Sequence, residues 1–546
     1  MAIRPRPLIL VRGFGGPDVQ DEQRDAYQGF NNGTVYPERR GENYIYEGFL
    51  LRALKSPRYT YRDATNVVGY YPKPVQATAP SAVWGEELTS GTVVVDPTLA
   101  EHLLGQGVRG TLWIYRYYDL QPRTLEEYGR GLVQLIRIMR HASEAAGEIF
   151  PGVDIVAHSM GGLAVRAALS RIASQGEDPE ALIHRIVTLG TPHRGISFQL
   201  LPGWLLSALP VVSPAAEELN AFDPDRTDFR DIPFPAERIL TVVGTDYRAY
   251  GAKAASLGNR LSTFIDEGTL AYNHSDGLVK QSSAQLPGSP RTFIHKCHGG
   301  RDSLVTSREA YEIAMRFFHG THHVQLWLDE AEVTRGYDVF GRSEFYFGVK
   351  IKPRYVDFEL FHQSSEAENC YGPFHRGDFT DPLPVLTEEL QAPLSAAGDD
   401  TSGWPEVTRT GSGTPRRLVW EGWVDATSKP EAAHLDDSLA FRLDVYVGER
   451  NTSPLGFSDN VVFSKQYYVH AIPDPAGPEL YLHTDARLLA QDVTRDRLAA
   501  AAAAEGAQVQ RATPDPGSPG TFTFTVGGTG FTATMAVTIT STPAGT

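Results

Sequence analysis

The segment 153–166 constrains the fold of this chain more than any other part of its sequence. It reads Val-Asp-Ile-Val-Ala-His-Ser-Met-Gly-Gly-Leu-Ala-Val-Arg. A short apolar run precedes Ser159, and the apolar residues after it have helical spacing. Small residues stand two positions before and two positions after this serine, at Ala157 and Gly161. The pattern predicts a strand, a sharp turn with Ser159 at its tip and a helix, which is the backbone arrangement of a nucleophile elbow.

A serine at such a turn becomes a nucleophile only when other groups assist it. It needs a base that takes its proton, an acid that orients the base and hydrogen-bond donors for the oxyanion. In folds with this elbow a donor loop precedes the serine, and the acid and then the base follow it. At residues 7–16 an apolar run ends in a glycine cluster, whose backbone N–H groups are able to turn toward a ligand. By position, Phe14 and Met160 supply the two backbone N–H groups of the predicted oxyanion hole.

Candidates for the acid and the base lie farther along the chain. Asp276 begins the sequence Asp-Gly-Leu-Val in a polar loop, where an aspartate is commonly only a turn residue. Two histidines compete for the role of base after the apolar run 291–294. His298 is preferred because a Gly-Gly pair follows it and gives it a flexible loop. His295 is the reserve candidate, since a side chain at the end of the predicted strand more readily packs.

With these residues, the chain resembles the alpha/beta-hydrolase lipases and esterases, in particular the bacterial triacylglycerol lipases, over residues 5–315. The matching segments are Leu-Val-Arg-Gly-Phe-Gly-Gly (10–16), Val-Ala-His-Ser-Met-Gly-Gly (156–162), Leu-Gly-Thr-Pro-His-Arg-Gly (189–195) and Asp-Gly-Leu-Val (276–279), with Ser282 and Ser283 after the last. The resemblance implies that Asp276 is the acid and His298 the base of a triad with Ser159. Arg12 departs from the histidine that these lipases commonly carry before the glycine of the donor loop.

The activity implied is the hydrolysis of carboxylic esters through an acyl-enzyme. The expected partner is an apolar acyl-ester substrate, and triglycerides, phospholipids, polyesters and small esters all remain open. An acyltransferase is one alternative, because it would use the same triad with an alcohol acceptor. A catalytically idle hydrolase fold that serves as a binding module is the other. A complete set of triad candidates in the expected order argues against the idle fold.

The remaining histidines near these motifs are interpreted as structural. His158 precedes Ser159 and is expected to point the other way at the strand end, and His193 lies in the Gly-Thr-Pro-His-Arg-Gly loop. The sequence has no His-Glu-x-x-His or paired-cysteine motif, so no metal is expected, and no cofactor is implied. The two cysteines, Cys297 and Cys370, are expected to be free thiols in different domains.

A length of 546 residues favours two or three domains. Residues 1–318 alternate strand patterns with helical ones, which predicts an α/β catalytic domain on a parallel sheet. Strands are predicted near 7–12, 111–116, 153–157, 185–189, 238–243 and 291–295, and a helix over 124–146. Six strands without an earlier antiparallel pair resemble the small alpha/beta-hydrolase core of lipases.

Two insertions in this domain are expected to set substrate choice. Residues 17–100 are rich in Tyr and Pro, with a helix predicted over 43–54. A structural cover is the default interpretation of them, and one wall of the substrate pocket is the sharper hypothesis. Residues 196–237 are apolar on more than one face and are broken by two prolines. A buried helix hairpin would have this pattern, but at this position a cap or lid is favoured.

After residue 318 the apolar residues alternate with period two between loops rich in Gly, Pro, Asp and Ser. Residues 319–546 are therefore predicted to form an all-β, sandwich-like accessory domain. A flexible stretch is expected at 392–416 and a helical segment near 485–510. Analogy with other lipases suggests a lipid-binding role for this domain, and a surface for partner or dimer contacts is an equal alternative.

Charge and hydropathy restrict the classes of partner and the expected location of the protein. The formal net charge of −16, with no basic stripe, argues against nucleic acid and anionic membranes but leaves a neutral lipid interface open. No run approaches the ~18 apolar residues of a transmembrane helix. The N-terminal apolar run is too short for a signal peptide. The expected location is the cytoplasm, or outside the cell by a route without a signal peptide, and the oligomeric state is not determined by the sequence.

Overall fold

A computed structural model describes residues 4–13, 30, 32–35, 43–46, 48–56, 58–65, 94–95, 105–116, 124–195, 231–246, 275–299, 303–333, 343–354, 356–362, 371–375, 407–409, 415–424, 439–451, 459–472, 478–485, 494–504 and 508–542. The chain divides into two compact units. The first comprises Met1–Arg291 and Lys296–Ala314, and the second comprises Met315–Thr546 together with Thr292–His295.

The first unit contains the strands of an α/β sheet up to Arg291. The strands are β1 (Leu8–Val11), β2 (Asn32–Val35), β3 (Asn43–Tyr46), β4 (Thr60–Thr65), β5 (Val94–Val95), β6 (Thr111–Arg116), β7 (Val153–His158), β8 (Ile183–Leu189), β9 (Ile239–Gly244) and β10 (Arg291–Ile294). Eight of them lie side by side in the order β10-β9-β8-β7-β1-β6-β4-β5, and β2 and β3 form a separate antiparallel pair. The strands from β9 to β4 run parallel, and β1 and β9 are buried throughout. Burial on both faces is what a parallel sheet covered by helices requires. The α/β class of this unit is confirmed.

The sheet is larger than the six strands predicted. The additional strands β4 and β5 come from the insertion 17–100, and β5 is antiparallel to β4. The helix predicted over 43–54 is only partly correct, because residues 43–46 form β3 and the helix begins at Phe49. Asn-Tyr-Ile-Tyr at β3 is rich in aromatic and β-branched residues, which favour a strand over a helix.

Helices cover this sheet and fix the position of its central turn. They are α1 (Phe49–Lys55), α2 (Leu125–Ala145), α3 (Met160–Ser174), α4 (Pro179–Leu182) and α5 (Arg308–His319), with short 3-10 turns at Ala236–Arg238 and Ser282–Ala284. The helix predicted over 124–146 is α2, and Thr124 and Glu127 form a capping box at its start. A Cβ at Gly129 would lie 2.7 Å from the backbone nitrogen of Ala168, so glycine allows α2 and α3 to pack closely. None of the described helices is long and apolar enough to cross a membrane.

The second unit consists of antiparallel strands, as the period-two pattern predicts. Its strands are β11 (His322–Val333), β12 (Ser343–Pro353), β13 (Phe361–His362), β14 (Tyr371–His375), β15 (Val407–Arg409), β16 (Pro415–Val424), β17 (Leu439–Asn451), β18 (Asp459–Ile472), β19 (Glu479–His483), β20 (Val509–Arg511), β21 (Thr513–Pro514), β22 (Thr521–Gly528) and β23 (Phe531–Ser541). One sheet has the order β15-β16-β11-β23-β22-β21. The other has the order β13-β12-β17-β18-β19-β20, with β14 paired to β12.

Aromatic side chains join these two sheets. Trp420 on β16 contacts Phe441 on β17, and Phe531 on β23 contacts Phe463 on β18, with ring centroids 6.2 and 5.0 Å apart. Within the helical segment predicted near 485–510, helix α6 covers Arg495–Ala503 and Val509 begins strand β20, while 486–493 and 505–507 lie outside the described residues. Most of the stretch 392–416 and Cys370 lie outside the described residues.

Two buried histidines stack on each other in the second unit. His470 on β18 and His483 on β19 are each 1% exposed, and their rings lie 4.9 Å apart. Burial, together with the smaller effects of the neighbouring His483 and Arg354, lowers the pKa of His470 to about 3. Burial also lowers the pKa of His483 to about 4, although Asp485 acts in the opposite direction. Both imidazoles are therefore neutral in the folded protein at neutral pH.

This pair predicts acid sensitivity of the second unit. In the unfolded chain each imidazole takes up a proton near its ordinary pKa of 6.5, whereas in the folded chain it does so only near pH 3 to 4. Stability is therefore full above about pH 6.5 and falls as the pH decreases, by up to about 1.4 kcal/mol per pH unit for each histidine. Urea unfolding of the full chain between neutral pH and about pH 4 measures this slope.

The matched variant is His470→Leu, which removes one of the two titrating rings. Its unfolding free energy should depend less steeply on pH than that of the wild type. An equal slope in wild type and His470→Leu would contradict the assignment.

Candidate active site

Ser159 occupies the turn between β7 and α3. Its backbone angles are φ 53° and ψ −131°, and among the described non-glycine residues it alone has a positive φ. Such a conformation costs about 1–3 kcal/mol and persists only where the surrounding structure imposes it. The strand, sharp turn and helix predicted around this serine are present.

The end of β1 lies against the start of α3. A Cβ at Gly13 would lie 2.7 Å from Ser159 Cβ, and a Cβ at Gly161 would collide with the main-chain oxygen of Arg12. Glycine at both positions therefore permits the close approach. Met160 is the first residue of α3, where a backbone N–H has no acceptor within the helix. The other predicted oxyanion donor, Phe14, lies outside the described residues.

The structure brings Ser159, His298 and Asp276 together. His298 Nε2 lies 2.9 Å from Ser159 Oγ, and His298 Nδ1 lies 2.7 Å from Asp276 Oδ2. All three residues are buried, and Ser159 is 6% exposed. Because an ionised carboxylate only accepts hydrogen bonds, Nδ1 carries the proton of the neutral imidazole. Nε2 then presents a lone pair to the serine hydroxyl, which is the arrangement a general base needs.

Asp276 is held in place by the turn that its own sequence forms. Its Oδ1 accepts hydrogen bonds from the backbone N–H groups of Leu278 at 3.1 Å and Val279 at 2.8 Å. Its main-chain oxygen accepts the backbone N–H of His298 at 2.8 Å. Asp276 is therefore both a turn residue and a partner of the imidazole, and it holds the ring and the main chain of His298.

Of the two competing histidines, His298 contacts the serine. It is 3% exposed, whereas His295, at the end of β10, is exposed. The thiol of the adjacent Cys297 is also buried, and its Sγ lies 3.3 Å from the main-chain oxygen of Gly299. That contact lies within the loop that carries His298.

Gly190 lies against the pair formed by Asp276 and His298 and against the apolar side chain of Leu304. A Cβ at Gly190 would lie 2.7 Å from Asp276 Oδ2, 2.8 Å from Leu304 Cδ1 and 3.2 Å from His298 Nδ1. Gly190 has φ 54°, and Leu304 is fully buried. Only glycine leaves room for this packing. Exclusion of water strengthens the electrostatic interaction between the carboxylate and the imidazole.

Of the two histidines interpreted as structural, His158 contacts His298. His158 does not point away as expected: its Nε2 lies 2.9 Å from the main-chain oxygen of His298, and the two rings are 4.8 Å apart. His193 is 2% exposed, and its Nε2 lies 3.4 Å from Thr188 Oγ1. Burial lowers the pKa of both histidines well below the usual range, so both rings are neutral at neutral pH.

Ser283 is a supporting residue to which the sequence analysis assigns no role. Its Oγ donates to the main-chain oxygen of Gly195 at 2.8 Å, and its main-chain oxygen accepts the N–H of His193 at 2.8 Å. It thereby connects the segment that carries Asp276 to the Thr-Pro-His-Arg-Gly loop. The Ser-Ser pair after Asp-Gly-Leu-Val was the only signal for it in the sequence.

The predicted lid falls largely outside the described residues. Of its range, 196–237, the structure describes only 231–237. Within the described parts of the chain, no three His, Cys, Asp or Glu side chains lie together as metal ligands would.

No protein-family model matches this chain, and no curated protein matches it. Among solved structures it is similar to phospholipase PlaB from Legionella pneumophila, with 11% sequence identity and a TM-score of 0.31. That match covers 84% of this chain and 91% of the other. A second structure of the same phospholipase, in complex with thio-NAD, matches with 11% identity, a TM-score of 0.27, and coverage of 83% and 91%.

Proposed function

We propose that this protein is a serine hydrolase that cleaves carboxylic esters, with Ser159 as nucleophile, His298 as base and Asp276 as acid. One observation carries the proposal: two hydrogen bonds, 2.7 and 2.9 Å long, connect Asp276 Oδ2 through the imidazole to Ser159 Oγ. The positive φ of Ser159 supports it, because backbone strain concentrates at sites of function.

The reaction would proceed in two steps. Ser159 Oγ attacks the ester carbonyl carbon while its proton passes to His298 Nε2. The tetrahedral intermediate collapses, and His298 gives that proton to the departing alcohol, which leaves an acyl group on the serine. A water molecule then loses a proton to His298 and attacks the acyl carbon, and the proton returns to Ser159 as the acid is released. Asp276 keeps the imidazole in one tautomer and stabilises the imidazolium that forms.

The oxyanion would be stabilised by backbone groups rather than by a side chain. The backbone N–H of Met160 belongs to the residue that directly follows Ser159. It has no acceptor within α3, because Met160 is the first residue of that helix. The N–H of Phe14 is the second proposed donor. Each donor of this kind contributes roughly 3–4 kcal/mol to transition-state stabilisation in comparable sites. Arg12 does not alter this mechanism, because both donors are main-chain groups.

The proposed substrate is an apolar acyl ester. The environment of the site supports this class, since Ser159, His298 and Asp276 are buried and the fully buried Leu304 lies beside the acid–base pair at Gly190. The apolar sequence of the proposed lid, 196–237, supports it as well. Transfer of the acyl group to an alcohol instead of water is the second candidate function. The low exposure of Ser159, 6%, favours it, because a site that excludes water slows hydrolysis of the acyl-enzyme.

Ester turnover and covalent labelling together test the proposal. Wild-type protein should hydrolyse p-nitrophenyl esters, and a scan of acyl chain length should place the optimum among the longer chains. A fluorophosphonate should lose fluoride and attach to one residue, which peptide mass spectrometry should identify as Ser159. Accumulation of free acid in the presence of added alcohol indicates hydrolysis, and accumulation of a new ester indicates transfer. Absence of turnover at every chain length, or labelling elsewhere, would contradict the proposal.

A further inference from the structure

We propose that His158 is a positioning residue for the base: its Nε2–H donates to the main-chain oxygen of His298 and thereby fixes the imidazole against the nucleophile. The inference rests on the proposed function, because it concerns the same site. It assigns a specific task to a side chain that lies outside the three catalytic residues.

The contact itself defines the roles of the two partners. His158 Nε2 lies 2.9 Å from the main-chain oxygen of His298. A carbonyl oxygen only accepts, so Nε2 must carry the proton and donate it. The rings of His158 and His298 also pack on each other, with centroids 4.8 Å apart and planes inclined by 40°. The side chain therefore contacts the base through a hydrogen bond and through its ring face.

Because of its place in the chain, His158 connects the main chain of the base to the nucleophile. It is the last residue of β7 and directly precedes Ser159. One peptide bond connects it to the nucleophile, and one hydrogen bond connects it to the main chain of the base. The distance between Ser159 Oγ and His298 Nε2 is consequently set by a short, rigid path, and not only by the hydrogen bond between those atoms.

His298 has a second main-chain hydrogen bond, on its other side. Its backbone N–H donates to the main-chain oxygen of Asp276 at 2.8 Å, and its carbonyl accepts from His158. Asp276 alone would leave the carbonyl side of the residue without this restraint. The two bonds together hold the peptide groups on both sides of the His298 Cα, which leaves the ring little freedom to move from the serine.

The ring of His158 also lies next to the donor loop. A Cβ at Gly13 would lie 3.0 Å from His158 Nδ1, so the ring separates this loop from the main chain of His298. Burial, followed by the charge of His298, lowers the pKa of His158 well below its usual range. A neutral ring suits this place, because a second positive charge would oppose formation of the His298 imidazolium during the reaction.

A matched pair of variants tests the proposal in the full-length protein. His158→Gln places an amide N–H close to the position of Nε2, and His158→Phe keeps the ring but removes the donor. A displacement of about 1 Å at a catalytic group costs on the order of 100-fold in rate, so we expect His158→Phe to lower kcat about 10- to 100-fold. KM should change little, because substrate binding does not involve the bond. His158→Gln should recover most of kcat.

The rate of phosphonylation by the fluorophosphonate separates this inference from the proposed function, since it needs no substrate. If the wild type itself is not labelled at Ser159, the proposed function fails. If the wild type is labelled and His158→Phe reacts as fast, His158 has no positioning role. The low-field proton resonance of the His298–Asp276 hydrogen bond should shift or broaden in His158→Phe and return in His158→Gln.

A folding defect is distinguished by a second comparison. Urea unfolding of each variant reports stability separately from rate. Should His158→Phe not fold, His158→Asn replaces it, because its amide is one methylene too short to reach the carbonyl. Slow labelling in His158→Asn with near wild-type labelling in His158→Gln supports the proposal, and equal labelling in the two overturns it.

Discussion

Ser159→Ala is expected to lower kcat for p-nitrophenyl esters by about 10⁴- to 10⁶-fold, since removal of the nucleophile in comparable triads has effects of this size. The variant keeps Cβ and loses only Oγ, the atom 2.9 Å from His298 Nε2. Labelling by the fluorophosphonate should disappear with the activity. Measurement of both on the same preparation distinguishes loss of the nucleophile from loss of protein.

The backbone of Ser159 offers a control for this prediction. Alanine retains a Cβ at φ 53°, so Ser159→Ala should unfold at nearly the same urea concentration as the wild type. Ser159→Gly has no Cβ and should relieve part of the strain, with an unfolding free energy higher by about 1 kcal/mol. Both variants should be equally inactive. A Ser159→Ala protein with wild-type turnover would show that another residue is the nucleophile.

The central strands of the first unit were predictable because a buried parallel strand has a distinctive pattern. Strand β1 is a continuous apolar run, and β9 is apolar except for Thr241 and its last residue, Gly244. The predicted positions of both strands agree with the structure. The strand β4 was not predicted because Thr-Tyr-Arg-Asp-Ala-Thr mixes polar and charged residues. Its place depends on main-chain pairing with β6, which no side-chain pattern encodes.

The order of the candidate triad followed from the motifs, but its geometry did not. The Asp-Gly-Leu-Val motif indicated Asp276. His298 was preferred as the base, but His295 was kept in reserve because sequence spacing does not determine where a loop folds back. The backbone N–H of His298 donates to Asp276, and this tertiary contact brings the imidazole to the serine. The predicted orientation of the His158 side chain was wrong for the same reason. That orientation depends on the loop after β10, and the alternation of side chains within β7 does not determine it.

The turn around Asp276 allows its proposed role as the triad acid to be tested by replacing one carboxylate oxygen with an NH₂ group. Oδ1 accepts the N–H groups of Leu278 and Val279, whereas Oδ2 faces His298 Nδ1. In Asp276→Asn the amide oxygen keeps the first position, because an NH₂ group there would face two donors. The NH₂ group therefore faces the imidazole, and Nδ1 must act as acceptor. The imidazole proton then lies on Nε2, where it blocks transfer from Ser159.

Asp276→Asn is therefore expected to lower kcat at neutral pH by about 10⁴-fold, the effect of a wrong tautomer in a triad of this kind. The chain contains a matched control. Asp154 on β7 is 1% exposed, and its Oδ1 lies 2.9 Å from Nδ1 of the half-buried His184, so Asp154→Asn alters another Asp–His pair of the same sheet. Asp154→Asn should change the unfolding midpoint and leave the rate of phosphonylation near that of the wild type. If the two variants lost activity equally, the effect of Asp276→Asn would reflect general destabilisation, and the assigned role of Asp276 would be wrong.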